Sequence, residues 1–386
     1  MKTINNYIAE KLKDEKSKLN GGAGHTLFPK SKTQLSQMIK KEIEQNGYEC
    51  DLNHIDVSQI TNMSKLFSGD RKYRNSLSNF NGNISEWDVS NVVNMSNMFS
   101  GSVFNQDISK WDVSNVEDMS CMFDFSKFNG DLSSWDVSNV ENMQGMFAGS
   151  EFNNNSICNW NTSSVKDINH MFSKSKFNQD INNWDVSNVE DMHSLFLKNK
   201  YFNKPLDKWD VSNVENMSNM FDESIFNGDL SSWDMSNVKN ISGMFASSKF
   251  DNDSICDWDI SNVENISAIF NGNTIFNQDI NNWDVSNVKH MRYAFAHSIF
   301  NKPLDKWDVS NVEDMWSTFW KSEFNQDISS WDVSQCFDMN NMFQDSKFNQ
   351  DISRWEINKK CRTNDMFNNC KIKENYKPFK NDERIN

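Results

Sequence analysis

The chain has 386 residues, enough for two or three ordinary domains, yet only 37% of it is hydrophobic, against the roughly 45–50% of soluble domains. Its 29 Phe, 20 Met and 14 Trp exclude a disordered chain and point to a core made of few, large side chains. Nine Lys against six acids in residues 1–50, and five basic against three acidic residues in 368–386, leave −20 of the total −15 on residues 51–367, a body that repels phosphate backbones.

In chain order, Met1–Asn20 is too polar for a secretory signal peptide. Ile4, Tyr7, Ile8 and Leu12 there suit a short amphipathic helix, and Gly21-Gly22-Ala23-Gly24 reads as a flexible linker, so 1–24 is one segment. Residues 25–54 form an N-terminal cap, because Leu35, Met38, Ile39 and Ile43 give Thr33–Gln45 a helical period. Residues 55–370 are repeats. Twelve Trp, from Trp87 to Trp355, recur every 24 or 25 residues, and a thirteenth unit precedes them with Ile55 in the Trp place. An insertion around Arg71-Lys72-Tyr73-Arg74 separates the first two units. Residues 371–386 are a polar tail. No apolar run reaches the ~18 residues of a membrane span, and seven Cys, an odd number, make no disulfide framework.

The consensus unit is F-N-x-D-I-S-x-W-D-V-S-N-V-x-x-M-x-x-M-F. Unit openings from Phe128 to Trp209 return in the same order from Phe226 to Trp307, a duplicated block of 98 residues. Within one unit, Ile108-x-x-Trp111-x-Val113 has the spacing of a leucine-rich-repeat strand, with Asp112 pointing out. Ser114-x-x-Glu117 reads as a capping box, and Val116, Met119, Met122 and Phe123 follow at helical spacing. The expectation is an α/β repeat solenoid of 13 stacked coils, leucine-rich-repeat-like, each with one short strand and one short helix. The Asn after each repeat Phe, such as Asn105 and Asn129, is expected to bond along the stack.

No G-x-S-x-G, P-loop or G-x-G-x-x-G occurs, so no enzyme is expected. The six His occupy different repeat positions, which leaves no expected metal site and no cofactor. Cys158 and Cys256 read as small apolar substitutes in the core. Two features stand out. One is the Asp after each Trp, at Asp112, Asp136, Asp185, Asp210, Asp234, Asp259, Asp284 and Asp308, with Asp88 and Asp332 beyond them. Beside it runs a variable residue before each Trp, so the pair could encode a binding face. The same Asp could instead be spent on turn N–H groups or on Lys110, Lys208 and Lys306. The other is Trp316 and Trp320, off the repeat register, with Arg292 and Tyr293 one unit earlier, a composition typical of contact hot spots. Packing of Trp320 over a neighbouring loop is the alternative.

The units Phe104–Phe123 and Phe324–Phe343, and the leader from Phe28-Pro29-Lys30 to Ile55-Asp56, resemble the BspA-type bacterial surface-protein repeat over residues 28–367. That resemblance implies a right-handed leucine-rich-repeat-like stack, placed at a cell surface or on a virion and otherwise cytoplasmic, with roles in adhesion. The expected function is a non-enzymatic module that recognises a protein or a glycan, with no nucleic acid and no membrane insertion. The alternative is a passive spacer or particle component attached through its N-terminal helix.

Overall fold

The computed structural model describes residues 24–69 and 76–378. The segment 1–23, the insertion 70–75 and residues 379–386 lie outside it, and with them the expected helix at Ile4–Leu12. Two compact units are present, Met1–Val165 and Lys166–Asn386.

The first unit begins with helix α1, Lys32–Asn46. Ser31 caps it, its hydroxyl accepting the Gln34 N–H at 3.3 Å, and Gly47 ends it at φ 82°. Leu35, Ile39 and Ile43 are buried, whereas Met38 is half-buried. Polar links tie α1 to the first coil: Lys32 Nζ donates to Ser64 Oγ at 2.7 Å, and His54 Nε2 lies 3.6 Å from Glu42. The cap segment also bridges Leu27 to Ile55 in parallel.

The coils overturn the α/β expectation. Among the described residues α1 is the one α-helix, and no strand longer than an isolated bridge exists. Neither the strand at Ile108–Val113 nor the helix at Val116–Phe123 is there, so this is no leucine-rich-repeat-like stack of strand plus helix. The Met-Phe segment instead makes two tight turns. Met122 N–H donates to Met119 C=O and Ser126 N–H to Phe123 C=O, both at 3.1 Å, closing i to i+3. Cys121 and Phe125, third in each turn, have φ 53° and 52°, as type II turns require. A helix would need negative φ throughout and i to i+4 closure. Between these turns, alternate N–H groups reach the next coil: Met119, Cys121, Phe123 and Phe125 donate to Asn142, Gln144, Met146 and Ala148 at 2.7–2.9 Å. A left-handed residue costs a non-glycine side chain roughly 1–2 kcal/mol, and this ladder offsets it. The predicted capping box is used differently too. Ser114 N–H and its hydroxyl donate to Asp112, at 3.1 and 2.6 Å, in an Asx turn.

Stacking places like over like. In the first unit the ladder Phe rings follow one another at 5.4–5.7 Å from Phe67 to Phe147, and Trp87, Trp111 and Trp135 at 6.4–6.5 Å. In the second unit Trp233 lies 6.4 Å from Trp258, Trp283 6.3 Å from Trp307 and Trp331 6.3 Å from Trp355. Parallel bridges run there from Asp167 through Asn216, His290 and Asp338 to Arg362. The repeat Trp are buried, and each indole whose bond is resolved donates to a carbonyl of the coil before, as Trp111 does to Ile84 at 3.1 Å.

The Asn after each Phe bonds along the stack. Asn105 Oδ1 accepts the Asn129 N–H at 2.8 Å, and in the second unit Asn325 accepts from Asn349 at 2.7 Å. A second Asn column, at Asn115 and Asn213, donates its amide to Ser90 and Ser187 carbonyls at 2.7 Å. Buried backbone groups thus find partners without a regular sheet. Among the described residues no helix is long and apolar enough to cross a membrane.

Candidate functional site

The Asp row is exposed on both units, on turns rather than on a sheet. Each member accepts the N–H of the Ser two residues on, at 3.0–3.1 Å: Asp112 and Asp136 in the first unit, and Asp185, Asp210, Asp234, Asp259, Asp284 and Asp308 in the second. The hydroxyl and backbone N–H of the following Ser hold the carboxyls of Asp136, Asp234 and Asp259 below their ordinary range, and the Ser334 N–H and hydroxyl do so for Asp332. The nearby Lys serve other partners. Lys110 pairs with Glu86 at 3.0 Å, and Lys208 and Lys306 donate to Asn183 and Asn282 at 3.0 and 2.9 Å. Between the Trp111 and Trp135 coils the row leaves a shallow open groove lined by Lys110, Asp112, Asp131, Ser134 and Asp136. One carboxylate oxygen, Oδ1, of each of these Asp is thus spent on its own turn.

The aromatic cluster is assembled by the second unit. Tyr293 N–H donates to Trp316 C=O at 3.0 Å and His297 N–H to Trp320 C=O at 2.8 Å, which sets the two coils in register. Tyr293 and His297 are the left-handed turn residues, at φ 55° and 54°. The Tyr293 ring then meets Trp316 at 4.9 Å and Trp320 at 6.3 Å, and His297 meets Trp320 edge-on at 4.5 Å. Arg292 lies over Trp316 at 5.7 Å while its Nε pairs with buried Asp314, and Lys321 lies over Trp320 at 4.8 Å. Trp316 Nε1 donates to Asn341 at 3.3 Å, but Trp320 Nε1 is buried with no acceptor. Burial and nearby Lys321 push the His297 ring below its ordinary pKa. The four residues read from sequence therefore meet, joined by His297 and Lys321, though on turns and not on a helix face. His297 and Lys321 share one position in consecutive repeats, a coincidence the sequence displays.

A second surface feature escaped the sequence reading. The residue before the repeat Phe is exposed in most coils, and from Tyr201 to Ile299 it is mostly apolar. Tyr201, Ile225 and Ile299 are 49%, 36% and 39% exposed, Ile275 is half-buried and Lys249 interrupts them. Comparing that one position across repeats would have found it, since Lys or Glu stands there in several other coils, as at Lys127 and Glu323.

Other expectations change as well. His170 and His193 come together, edge to face at 4.9 Å, although their repeat positions differ by one. Burial and His193 lower the His170 pKa. Cys158 and Cys256 are half-buried rather than core residues, following short 3₁₀ turns whose buried side chains are Ile157 and Ile255. Burial and Asp253 push the Cys256 thiol up to about 11. Burial and Glu223 raise Asp222 to about 6.

A family model described as "Mycoplasma protein of unknown function, DUF285" matches residues 33–157, 149–255, 247–323 and 291–381. No curated protein and no solved structure matches the chain.

Proposed function

The chain belongs to the DUF285 family of repeat proteins of unknown function, and from that premise we propose that it is a non-enzymatic interaction module holding a protein partner against the Trp316–Trp320 cluster. The observation that carries this reading is the cluster's departure from the repeat. Val312, Met315 and Phe319 already fill the core of that coil. Trp316 and Trp320 are additional, placed where the next coil has Asn340 and Gln344. Large aromatics that the core does not require, set beside Arg, are the usual anchors of protein contacts.

A protein suits the cluster better than a glycan. Sugar rings stack on open indole faces, and here Arg292 and Lys321 already occupy a face of each Trp. The absence of catalysis belongs to the same proposal. Asp residues spent on turn N–H groups and held at low pKa make poor general acids. Kinship with BspA-type surface repeats is also proposed, on the motif F-N-x-D-I-S-x-W-D-V-S-N-V.

Affinity capture from a lysate of the source cells, with the native chain and a Trp316→Ala/Trp320→Ala variant, tests the reading. A protein retained by the first and lost by the second, and then bound by the native chain as purified components, supports it. Identical retention by both chains returns the reading to a passive spacer.

A further inference from the structure

From Val92 to Val312, every repeat places a Val five residues after its Trp, and each of these Val is buried. The last two repeats depart from this: Cys336 holds the place after Trp331, and Lys360 the place after Trp355. Lys360 is exposed, however, and Cys361 is buried in its stead. The turn has slipped. Cys336 N–H closes on Val333 C=O at 3.1 Å, whereas Cys361 N–H closes on Asn358 C=O at 2.9 Å, one position later than the repeat prescribes. The slip brings a second sulfur next to the first, inside a column that is otherwise Val.

The surroundings hold the two sulfurs together. Cys336 Sγ donates to Asp338 C=O at 3.4 Å, and Cys361 Sγ to Arg362 C=O at 3.5 Å. Asp338 and Arg362 are themselves bridge partners, with their side chains paired at 2.8 Å, and Met339 N–H donates to Arg362 C=O at 2.8 Å. The thiols also hydrogen-bond each other, a contact that, with burial, pushes the Cys336 thiol well above its ordinary range. Backbones held by a bridge lie ~4.8 Å apart, inside the ~4.4–6.8 Å between Cα atoms that a disulfide spans. As fillers of a Val column the two Cys would need only size and apolarity. Contact between the sulfurs adds a chemistry that Val lacks.

We propose that Cys336 and Cys361 are a redox-sensitive pair, which hydrogen peroxide converts into a disulfide that fastens the last repeat to the one before it. Cys336 is fully buried and Cys361 is 8% exposed, so a small oxidant meets Cys361 first. The Cys361 thiolate attacks one peroxide oxygen; an S–O bond forms, the O–O bond breaks, and the hydroxide released takes up the thiol proton as water. The Cys336 sulfur then attacks the Cys361 sulfur. The S–S bond forms, the S–O bond breaks, and the sulfenic hydroxyl leaves with the Cys336 proton as a second water. Two thiols lose two electrons, and one peroxide becomes two waters. The second step is the slower one, because the thiolate is the nucleophile and Cys336 is held protonated. The bond closes the loop from 336 to 361, and the last repeat, with a repeat on one side only, no longer frays by itself.

The full chain, purified under reductant and then freed of it, is treated with hydrogen peroxide at about pH 8, where thiolate forms. Of the seven thiols, counted after denaturation, two should disappear, and a non-reduced digest should yield a cross-linked pair of peptides carrying Cys336 and Cys361. The melting temperature should rise by several degrees and return with dithiothreitol. Cys336→Val and Cys361→Val put the Val of the other repeats in each place, so both chains should fold, form no such cross-link and show no such rise. An undiminished thiol count in the treated native chain would overturn the proposal. So would Cys361 driven to sulfinic acid beside an intact Cys336 thiol, a disulfide joining either Cys to another partner instead, or an equal rise in melting temperature for Cys361→Val.

Discussion

The indole N–H of Trp233 donates to the carbonyl of Leu206, 3.0 Å away in the preceding coil, from a side chain only 4% exposed. Each repeat Trp bonded in this way fills the core and also gives a second hydrogen bond to a backbone acceptor, since Leu206 C=O already accepts the Trp209 N–H at 3.2 Å. The two contributions can be separated. Trp233→Phe keeps most of the ring and removes one of the two hydrogen bonds to that carbonyl, at about 0.5–1.5 kcal/mol. Trp233→Ala adds a cavity, for about 3–5 kcal/mol or more. Trp320→Phe is the control, because its N–H has no acceptor, and it should leave stability level or slightly higher. Urea midpoints of the three variants check the order.

Ala268 occupies a left-handed turn position at φ 56°. Ala268→Gly should therefore stabilise the protein by about 1 kcal/mol, since Gly adopts that conformation freely. In the helix that the hydrophobic spacing suggests, the same change would destabilise by about 1 kcal/mol. The sign of the shift in thermal midpoint thus discriminates turn from helix. Gly243, at φ 64° in the coil before, gives the converse. A Cβ there would collide with the Asn219 side chain, so Gly243→Ala should lower the midpoint.

Acid and base sides of the stability profile should be governed by different carboxylates. Asp136, Asp234, Asp259 and Asp332 have folded-state pKa values below the ordinary one. Their contribution is complete above the unfolded value and disappears as pH falls through the folded values. Asp222 is opposite: burial raises it to about 6 from 3.8, so its contribution is present at low pH and lost as pH rises through about 6. Asp222→Asn should raise the melting temperature at about pH 8 and change little at about pH 4. Melts across that range, native against variant, measure it.

Deleting Phe226–Glu323 joins Ile225 to Phe324 and removes one whole duplicated block from the second unit. Trp331, which donates to Leu304 at 2.9 Å, would then find Leu206 in the equivalent place. The shortened chain should be soluble, unfold cooperatively and have a lower denaturant m-value, in proportion to the surface lost. A molten product would mean that contacts extend beyond neighbouring coils.

Period, columns and the buried faces of Ile108, Trp111 and Val113 were legible in the sequence, because every repeat states them again. Helix α1 was legible too, from a 3.6-residue pattern bounded by Ser31 and Gly47. The Met-Phe segment was not. Met119, Met122 and Phe123 sit at i, i+3 and i+4, which suits one face of a helix and equally two consecutive turns closing at i+3. The discriminating sign lay between them, at the position held by Asn97, Cys121, Gly145, Asn219 and Gly243, where Gly and Asn tolerate positive φ. Cys121, His170, Tyr293 and other poor left-handed residues at that position hide it, and they are held there by the ladder to the next coil. The meeting of Tyr293 with Trp316 followed from register alone, whereas the part played by Lys321 depended on the turn geometry.

Two sets of hydrogen bonds leave each coil in opposite directions. Met119, Cys121, Phe123 and Phe125 send their N–H groups forward, while Trp111 Nε1 and the N–H groups of Glu117 and Lys127 point back to Ile84, Val93 and Ser102. The peptide dipoles along the two sides therefore oppose each other. An α-helix accumulates partial charge at its ends because all its dipoles align; within either unit of this protein the fields largely cancel at every step. The potential felt by an approaching partner is then set by local side chains such as Lys249 and Arg292, and not by the number of coils beneath them.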